Sequence, residues 1–437
     1  MTQRVPVFFD GFELGAITVG ETGALGFEYG RDWLDTRGAF PLSTTIPLRP
    51  GPHTPEITEP WLANLLPEER QLAMVARSLG LDRTDALAIL REIGADTAGA
   101  LSFGSPGDRR AWLCTPLREL YDAPDDATAL GRHIDDLDRR PLLVGEDGVR
   151  QSLAGGQKKS ALAVAAPDGD PVLRLPEAGD ILTVPRFGAP STVIVKPDNP
   201  ALPGIVENEA YCLYLAKATG IETVAVTTLA AGERSVLCVL RYDRRIARNG
   251  MLHRIHQEDF AQANGLPPGR KYEVGTVPGL TLSGLLDTGR RHLSPSDTLS
   301  LLDQVIFNIL VANADGHAKN YSLLLPVAGE PRLAPLYDVS SVLPWEHVNP
   351  YFAQKIAGRK RRPGEIAARH WDVLSREAGF RPADVRLRVG ALIERIVARR
   401  IEVTGAVCAL PGIAPGHVEQ VAGLIEQNAL RIGGRLR

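Results

Sequence analysis

The 437-residue chain sets 49 Lys and Arg against 52 Asp and Glu, a formal net charge of −3, with 44% hydrophobic and 23% charged residues. That balance excludes a surface that grips nucleic acid throughout, while the length allows two or three domains or one large two-lobed enzyme. Cys114, Cys212, Cys238 and Cys408 stand far apart with no CxxC pair, which is neither a disulfide framework nor a zinc site and fits a reducing cytoplasm.

The opening MTQRVPVFFDGFE lacks the long apolar core of a signal peptide. No later stretch approaches the roughly 18 uninterrupted apolar residues of a membrane span. A soluble cytoplasmic protein without membrane contact is therefore expected. VPVFFDGFELGAITV reads as two strands around an Asp10-Gly11 turn, and GFEYG and PLSTTIPL continue a small β module. From Pro60 the pattern becomes helical: WLANLLPEERQLAMVARSLGL has apolar residues at three- and four-residue spacing. Two further helical segments follow, and YDAPDDATALGRHIDDLDRR holds at least one more. These features place a mixed N-terminal subdomain at 1–120.

Strand-like runs then dominate from 150 to 245, within a β-rich lobe placed at 121–245: ALAVAAP, VLRLP, TVIVKP, VAVTTLA and SVLCVLRYD, interrupted by the helix VENEAYCLYLAKATG. The region 246–437 reads as mainly helical, with one mixed insert, YSLLLPVAGEPRLAPLYDVSS. A β-rich lobe with one helix, followed by a helical lobe, is the α+β layout of a protein kinase. There are no internal repeats and no low-complexity tract.

The helical lobe carries the densest chemistry. The apolar helix LLDQVIFNILVAN runs into ADGHAKNYSLLL, where Asp315 and Asn320 stand five residues apart. That is the spacing of the base Asp and the metal-binding Asn in a kinase catalytic loop. RLAPLYDVSS then offers Asp338 as a second carboxylate for magnesium. In the β lobe, TVIVKP presents Lys196 at the end of a β-branched run, suited to the nucleotide phosphates. Helix VENEAYCLYLAKATG offers Glu207 and Glu209 to anchor it, and Glu209 is the choice for the supporting ion pair. VLCVLRYDRR stands where a hinge would meet adenine. Singly, Asp315 with Asn320 could form a turn, His317 serve as a structural hydrogen-bonding residue, Asp338 cap a helix and Lys196 end a strand. Their order along the chain favours the kinase reading.

SLAGGQKKS, residues 152–160, tests a rival phosphate site. A P-loop needs a glycine immediately before its lysine and another five positions earlier, but those positions hold Lys158 and Leu153. The strict G-x-G-x-x-G kinase loop also fails, because only Gly155 and Gly156 are present. What remains is a small-residue loop entering a strand, with free N–H groups and two lysines suited to phosphate oxygens. A solvated basic turn is the competing reading.

Taken together, these residues resemble the HipA family of bacterial serine/threonine kinases that act as toxins of toxin–antitoxin pairs. The likeness runs from PLSTTIPL, NLLPEE and EIGADTAGALSF through SLAGGQKKSAL, VIVKP, ENEAYCLYLAKATG, LRYDRR and HQEDFAQANGLPPGRKYE to NADGHAKNYS, APLYDVSS and NALRIGGRLR. It implies a two-lobed kinase-like fold, ATP with Mg²⁺ and phosphorylation of a protein serine. Asp315 would be the catalytic base, and Asn320 and Asp338 the metal ligands. ATP would contact Lys196, the loop Ala154, Gly155, Gly156, Gln157, Lys158 and Lys159, the hinge Leu240, Arg241 and Tyr242, and also His317, Lys319 and Tyr337. Ser152 matches the family's inactivating autophosphorylation site.

Two positions depart from the family: Leu240 stands where hinges commonly carry glutamate, and Lys158 where relatives are often acidic. The resemblance also implies a helix-turn-helix antitoxin (HipB-like), DNA contact through that complex, and an aminoacyl-tRNA synthetase as substrate class. The basic run from Arg359 to Arg362 could touch DNA phosphates or be a solvated face. An antitoxin-binding corepressor with weak kinase activity, or a small-molecule kinase on the same fold, are the rival readings.

Overall fold

The Asp10-Gly11 pair folds β1 (Gln3–Phe9) back on β2 (Phe12–Val19). Both residues take positive φ, 48° and 83°, the backbone that a two-residue hairpin turn requires and that Asp and Gly adopt with little strain. In the computed structural model, which describes residues 3–105, 113–248, 250–275 and 277–436, β3 (Leu25–Tyr29) extends this sheet. The first two residues of MTQRVPVFFDGFE and the last arginine of NALRIGGRLR lie outside the described residues.

Four helices follow, α1 (Arg31–Leu34), α2 (Pro55–Ala63), α3 (Glu69–Leu79) and α4 (Ala86–Ile93). Then β4 (Leu101–Phe103) closes the sheet in the order β3-β2-β1-β4. The helical run expected from Pro60 begins earlier, at Pro55, and breaks between Asn64 and Glu68. Pro67 has no N–H to donate and pushes Leu66 out of helical backbone. Asn64 Nδ2 donates to the carbonyls of Pro60 and Leu266, both at 2.8 Å, which fixes the break against the C-terminal half of the chain.

The second sheet takes strands from β5 (Cys114–Pro116), β6 (Ser160–Ala165), β7 (Pro171–Val172), β8 (Ile181–Pro185), β9 (Val193–Pro197), β10 (Val226–Ala231) and β11 (Arg234–Leu240). Its order is β10-β11-β9-β6-β8-β5, with β7 on β6. The sequence reading missed β8, and VLRLP keeps only the short β7 pairing. Helices α5 (Leu117–Leu120) and α6 (Asp126–Asp136) cover one face, and α7 (Ile205–Ala218) covers part of the other.

Period-two alternation decides which side chains reach which face. Val193 and Val195 of β9 pack with Leu130 and Ile134 of α6, so Ile194 and Lys196 point the opposite way. Helix α7 is buried almost all round, because it lies between this sheet and the helical lobe. Its Ala210 and Leu213 share one core with Leu237 and Val239 of β11 and with Leu392 and Ile425 beyond.

Beyond the hinge, β12 (Arg244–Ile246) pairs with β13 (Leu252–Arg254), and β14 (His256–Asp259) precedes helices α8 (Leu282–His292) and α9 (Pro295–Leu310). β14 pairs with β15 (Ser322–Leu325), which pairs with β16 (Arg332–Leu333). Helices α10 (Ala368–Glu377), α11 (Pro382–Cys408) and α12 (Pro415–Gly433) complete the lobe. The mainly helical expectation holds, with the strands at 252–259 as an addition. All four cysteines are free. Among the described residues, no helix is long and apolar enough to cross a membrane.

A buried charge cluster joins the N-terminal sheet to the hinge. Asp96, 1% exposed, accepts from Arg244 at 2.8 Å, Arg254 at 3.1 Å and Ser191 Oγ at 2.6 Å, with Arg241 at 3.5 Å. Asp243 accepts from Arg241 at 2.6 Å and from the Gly99 N–H at 2.7 Å. Burial would raise the Asp96 carboxyl, but the guanidinium groups of Arg244, Arg241 and Arg254 outweigh it and hold it far below the usual range. Removing this anion would leave three buried guanidinium groups short of a partner. Asp96→Asn is expected to cost about 3–5 kcal/mol of stability, read from urea unfolding; a loss below about 1 kcal/mol would show that the cluster contributes little.

Candidate active site

Lys196 leaves β9 toward the space between the lobes, and its Nζ lies 2.7 Å from Glu209 Oε1 and 2.7 Å from Asp338 Oδ1. All three belong to a cleft of about 410 Å³. Glu207 is elsewhere: its Oε1 accepts from Ser235 Oγ at 3.3 Å and the Ala414 N–H at 3.1 Å. Packing thus singles out Glu209. Burial alone would favour neutral Lys196, but the charges of Asp338 and Glu209 outweigh it and keep the ammonium. Burial would likewise raise Asp338, yet Lys196 and Lys159 hold it ionised, well below the ordinary carboxylate range. Asp338 sits at φ 58°, a left-handed backbone unusual for a non-glycine residue.

Asp315 stands in the loop after α9. Asn308, in the last turn of that helix, accepts from Asn313 Nδ2 at 2.9 Å, and Asn313 Oδ1 accepts from the Asp315 N–H at 3.1 Å. Asn308 Nδ2 donates to Tyr321 Oη at 2.9 Å, which ties both ends of the loop to one rigid residue. Burial pushes the Asp315 carboxyl up to about 6, against a 2.6 Å hydrogen bond from Tyr272 Oη and with help from the Asp338 charge. Two carboxylates in one cleft therefore titrate far apart, the pattern that separates a proton acceptor from a permanent anion. His317 is pushed down to about 3 by burial and by Lys271, and its ring meets Tyr272 edge to face at 5.1 Å. It stays neutral at physiological pH.

Asn320 Nδ2 donates to the carbonyls of Asp315 at 3.2 Å and Asp338 at 3.3 Å. Its donor end is thereby committed, and Oδ1 is the atom it can offer a cation. An amide oxygen beside an ionised carboxylate is a hard donor set that fits a cation such as Mg²⁺.

The loop of residues 154–159 borders the cleft with one exception. Lys159 Nζ donates to the Ala154 carbonyl at 2.5 Å, and burial with the nearby Lys196 ammonium pushes it down to about 8. Gly155 sits at φ 100°, where a Cβ would also come within 2.8 Å of Lys159 Nζ. Lys158 lies outside the cleft lining, its ammonium 2.5 Å from Asp138. Leu240, Arg241 and Tyr242 line the cleft, but the Arg241 guanidinium is committed to Asp243, Ser191 and the Thr97 carbonyl. The Leu240 and Arg241 N–H groups donate to Ala225 and Thr192. Tyr242 stacks on Tyr337 at 5.5 Å and hydrogen-bonds Gln257, while Tyr337 Oη donates to the Lys319 carbonyl at 2.8 Å. Ser152 is fully buried outside the lining, its Oγ donating to the Leu65 carbonyl at 2.7 Å.

Asn64, Glu68, Asp259 and Lys271 line the cleft but escaped the sequence reading. Lys319 meets Asp259 at 2.7 Å and Asn64 Oδ1 at 2.8 Å, and Lys271 meets Glu68 at 2.5 Å. Asn64 and Glu68 come from the break between α2 and α3, so the N-terminal unit forms part of the cleft wall. The only sequence signals were the segments NLLPEE and HQEDFAQANGLPPGRKYE, which give a likeness and no role.

Comparison with known proteins is consistent across the chain. The model of the HipA N-terminal domain matches residues 5–104, and that of the HipA-like C-terminal domain residues 151–400. Y4mE of Sinorhizobium fredii, which carries a kinase name, is 38% identical over 410 residues, 92% of this chain and 93% of that one. The serine/threonine-protein kinase toxin HipA of Shewanella oneidensis is 31% identical over 361 residues, 78% of this chain and 77% of that one. A chain of the S. oneidensis complex of HipA, HipB and operator DNA superposes with a TM-score of 0.81 at 25% identity, covering 99% of this chain and 98% of its own.

The phenol of Tyr272 stabilises ionised Asp315, so Tyr272→Phe is expected to move the Asp315 titration upward from about 6. Carbon-13 NMR of Asp-labelled protein checks this, and an unchanged or lower value would show that the hydrogen bond does not tune the carboxyl.

Proposed function

Since the chain belongs to the HipA family, and relatives within it are named as kinases, we propose that it is a serine/threonine-protein kinase that uses ATP and Mg²⁺. The observation that carries this reading is the placement of Asp315, raised to about 6, in one cleft with the Lys196–Glu209–Asp338 cluster. Lys196 holds the α- and β-phosphates, and the Lys159 ammonium and the loop N–H groups of residues 154–157 cover them. Asn320 Oδ1 and the Asp338 carboxylate would hold Mg²⁺, whose charge would offset the negative charge of the phosphates. Tyr242 and Tyr337 flank the base, and the Tyr242 N–H, with no protein partner among the described residues, offers it a hydrogen bond.

In the transfer, the serine Oγ forms a bond to the γ-phosphorus while the bond from that phosphorus to the β–γ bridging oxygen breaks. Asp315 takes the hydroxyl proton, and ADP leaves with the electron pair. A carboxyl near 6 is ionised at neutral pH yet basic enough to accept that proton. The rest of the rate acceleration comes from positioning and from fixed positive charge at the phosphates.

Ser152 is the proposed site of self-phosphorylation. A phosphate would bring about −1.5 to −2 charges into a pocket where the hydroxyl now donates to Leu65. The segment would have to leave that pocket and carry the adjoining phosphate loop with it. The S. oneidensis HipA superposed here stands in a complex with HipB and operator DNA. By analogy, we propose a helix-turn-helix antitoxin as partner, DNA contact through it, and a toxin role acting on an aminoacyl-tRNA synthetase. The intact Asp315, Asn320 and Asp338 set favours this over a corepressor with weak kinase activity.

Asp315→Ala is expected to lower serine phosphorylation by about 10²–10⁴-fold with ATP binding retained. Labelled ATP and phosphopeptide mapping check it, with the wild type labelled at Ser152. Incorporation close to the wild-type level would remove Asp315 from the mechanism, and self-labelling confined to other residues would remove Ser152.

A further inference from the structure

A second cavity, also about 410 Å³, adjoins the cleft and shares Asp315, Leu202, Ile205 and Ser340 with it. Its apolar lining comes mainly from the chain just after Asp338: Val342, Trp345, Val348 and Phe352. Trp345 and Phe352 are 8% and 6% exposed, and Trp345 Nε1 is fixed by donation to the Pro203 carbonyl at 2.9 Å. The pocket is therefore built on anchored side chains. At its rim lies Lys360, exposed, in the run Arg359 to Arg362. Among the described residues none of these four side chains forms an ion pair, and Arg362 lies over the Tyr351 ring at 4.9 Å.

Tyr272 lines this cavity as well, and its hydroxyl donates to Asp315 Oδ1 at 2.6 Å. Burial and the neighbouring Asp315 charge raise the phenol well above its ordinary value, so it stays protonated. A neutral hydroxyl donating to the base carboxylate is the arrangement that an acceptor serine must adopt before transfer. The nucleotide cleft and this cavity meet at the one group that serves both reactants.

Resting on the kinase reading above, we propose that the second cavity seats the acceptor segment of the protein substrate. The serine hydroxyl displaces Tyr272 Oη from Asp315. An apolar neighbour of that serine enters the pocket formed by Val342, Val348 and Phe352. An acidic neighbour meets Lys360 and the exposed Arg359 and Arg362, where opposite charge gives selectivity and faster encounter.

The test incubates phosphatase-treated bacterial lysate with ATP, Mg²⁺ and the wild type, Val348→Trp or Lys360→Glu. Mass spectrometry reads the phosphorylated serines and their flanks, and calorimetry reads ATP affinity. Val348→Trp fills the cavity and should reduce substrate labelling about tenfold or more with ATP affinity within about twofold. Lys360→Glu should abolish an acidic preference beside the serine, and because Lys360 is exposed this variant carries the test even if Val348→Trp fails to fold. Unchanged sites, flanks and rates in both variants would overturn the proposal. So would a Lys360→Glu defect confined to duplex-DNA binding, which would assign the basic run to nucleic acid, or a wild type that labels only itself. A wild type that transfers phosphate to no protein, itself included, would instead overturn the kinase reading.

Discussion

Lys196 is held between two carboxylates that arrive from different parts of the chain, Glu209 from α7 and Asp338 from the segment after β16, each at 2.7 Å. Burying a charge is costly unless it is paired and hydrogen-bonded, so this three-residue contact constrains much around it. It requires β9 to present Lys196 on the face away from α6. It requires α7 to be buried on nearly every side, so that Glu209 can be carried into the interior. It also fixes Asp338 in a left-handed backbone, where its carbonyl can accept from Asn320. The retained ammonium of Lys196 and the permanent anion of Asp338 follow from that single arrangement.

The N-terminal unit is part of this machinery. Asn64 and Glu68 reach Lys319 and Lys271 across the cleft, and Asp96 neutralises arginines on either side of the hinge residue Tyr242. The cluster around Asp96 leaves the hinge little freedom, because any displacement of Arg241 or Arg244 would strip a buried ion of its partner. Ser152 is anchored in the same region, its N–H on the Asp96 carbonyl and its Oγ on Leu65. A change of state at Ser152 would thus act on the adjoining loop of residues 154–159 and on the contact between the N-terminal unit and the lobes together.

What could be read in the sequence was what local pattern controls. The Asp10-Gly11 turn needed two residues tolerant of positive φ. The β-branched run before Lys196 and the five-residue spacing of Asp315 and Asn320 each depend on residues close in the chain. The choice between Glu207 and Glu209 was not local: two residues on a helix point about 200° apart, and only packing decides which faces the cleft. Tyr272 and Asp315 lie 43 residues apart, and Asn64 and Lys319 lie 255 apart. No periodicity links such pairs. Lys158 and Lys159 are indistinguishable as sequence, yet one pairs with Asp138 outside the cleft and the other is half-buried in the cleft near Lys196.

The central claim is that Asp338 and Asn320 hold Mg²⁺ against ATP phosphates gripped by Lys196. Calorimetric titration of ATP into the wild type and Asp338→Asn, each with Mg²⁺ and with chelator, tests it most directly. The account predicts that Mg²⁺ tightens ATP binding to the wild type and loses that effect in Asp338→Asn. An equal gain from Mg²⁺ in both proteins would contradict it.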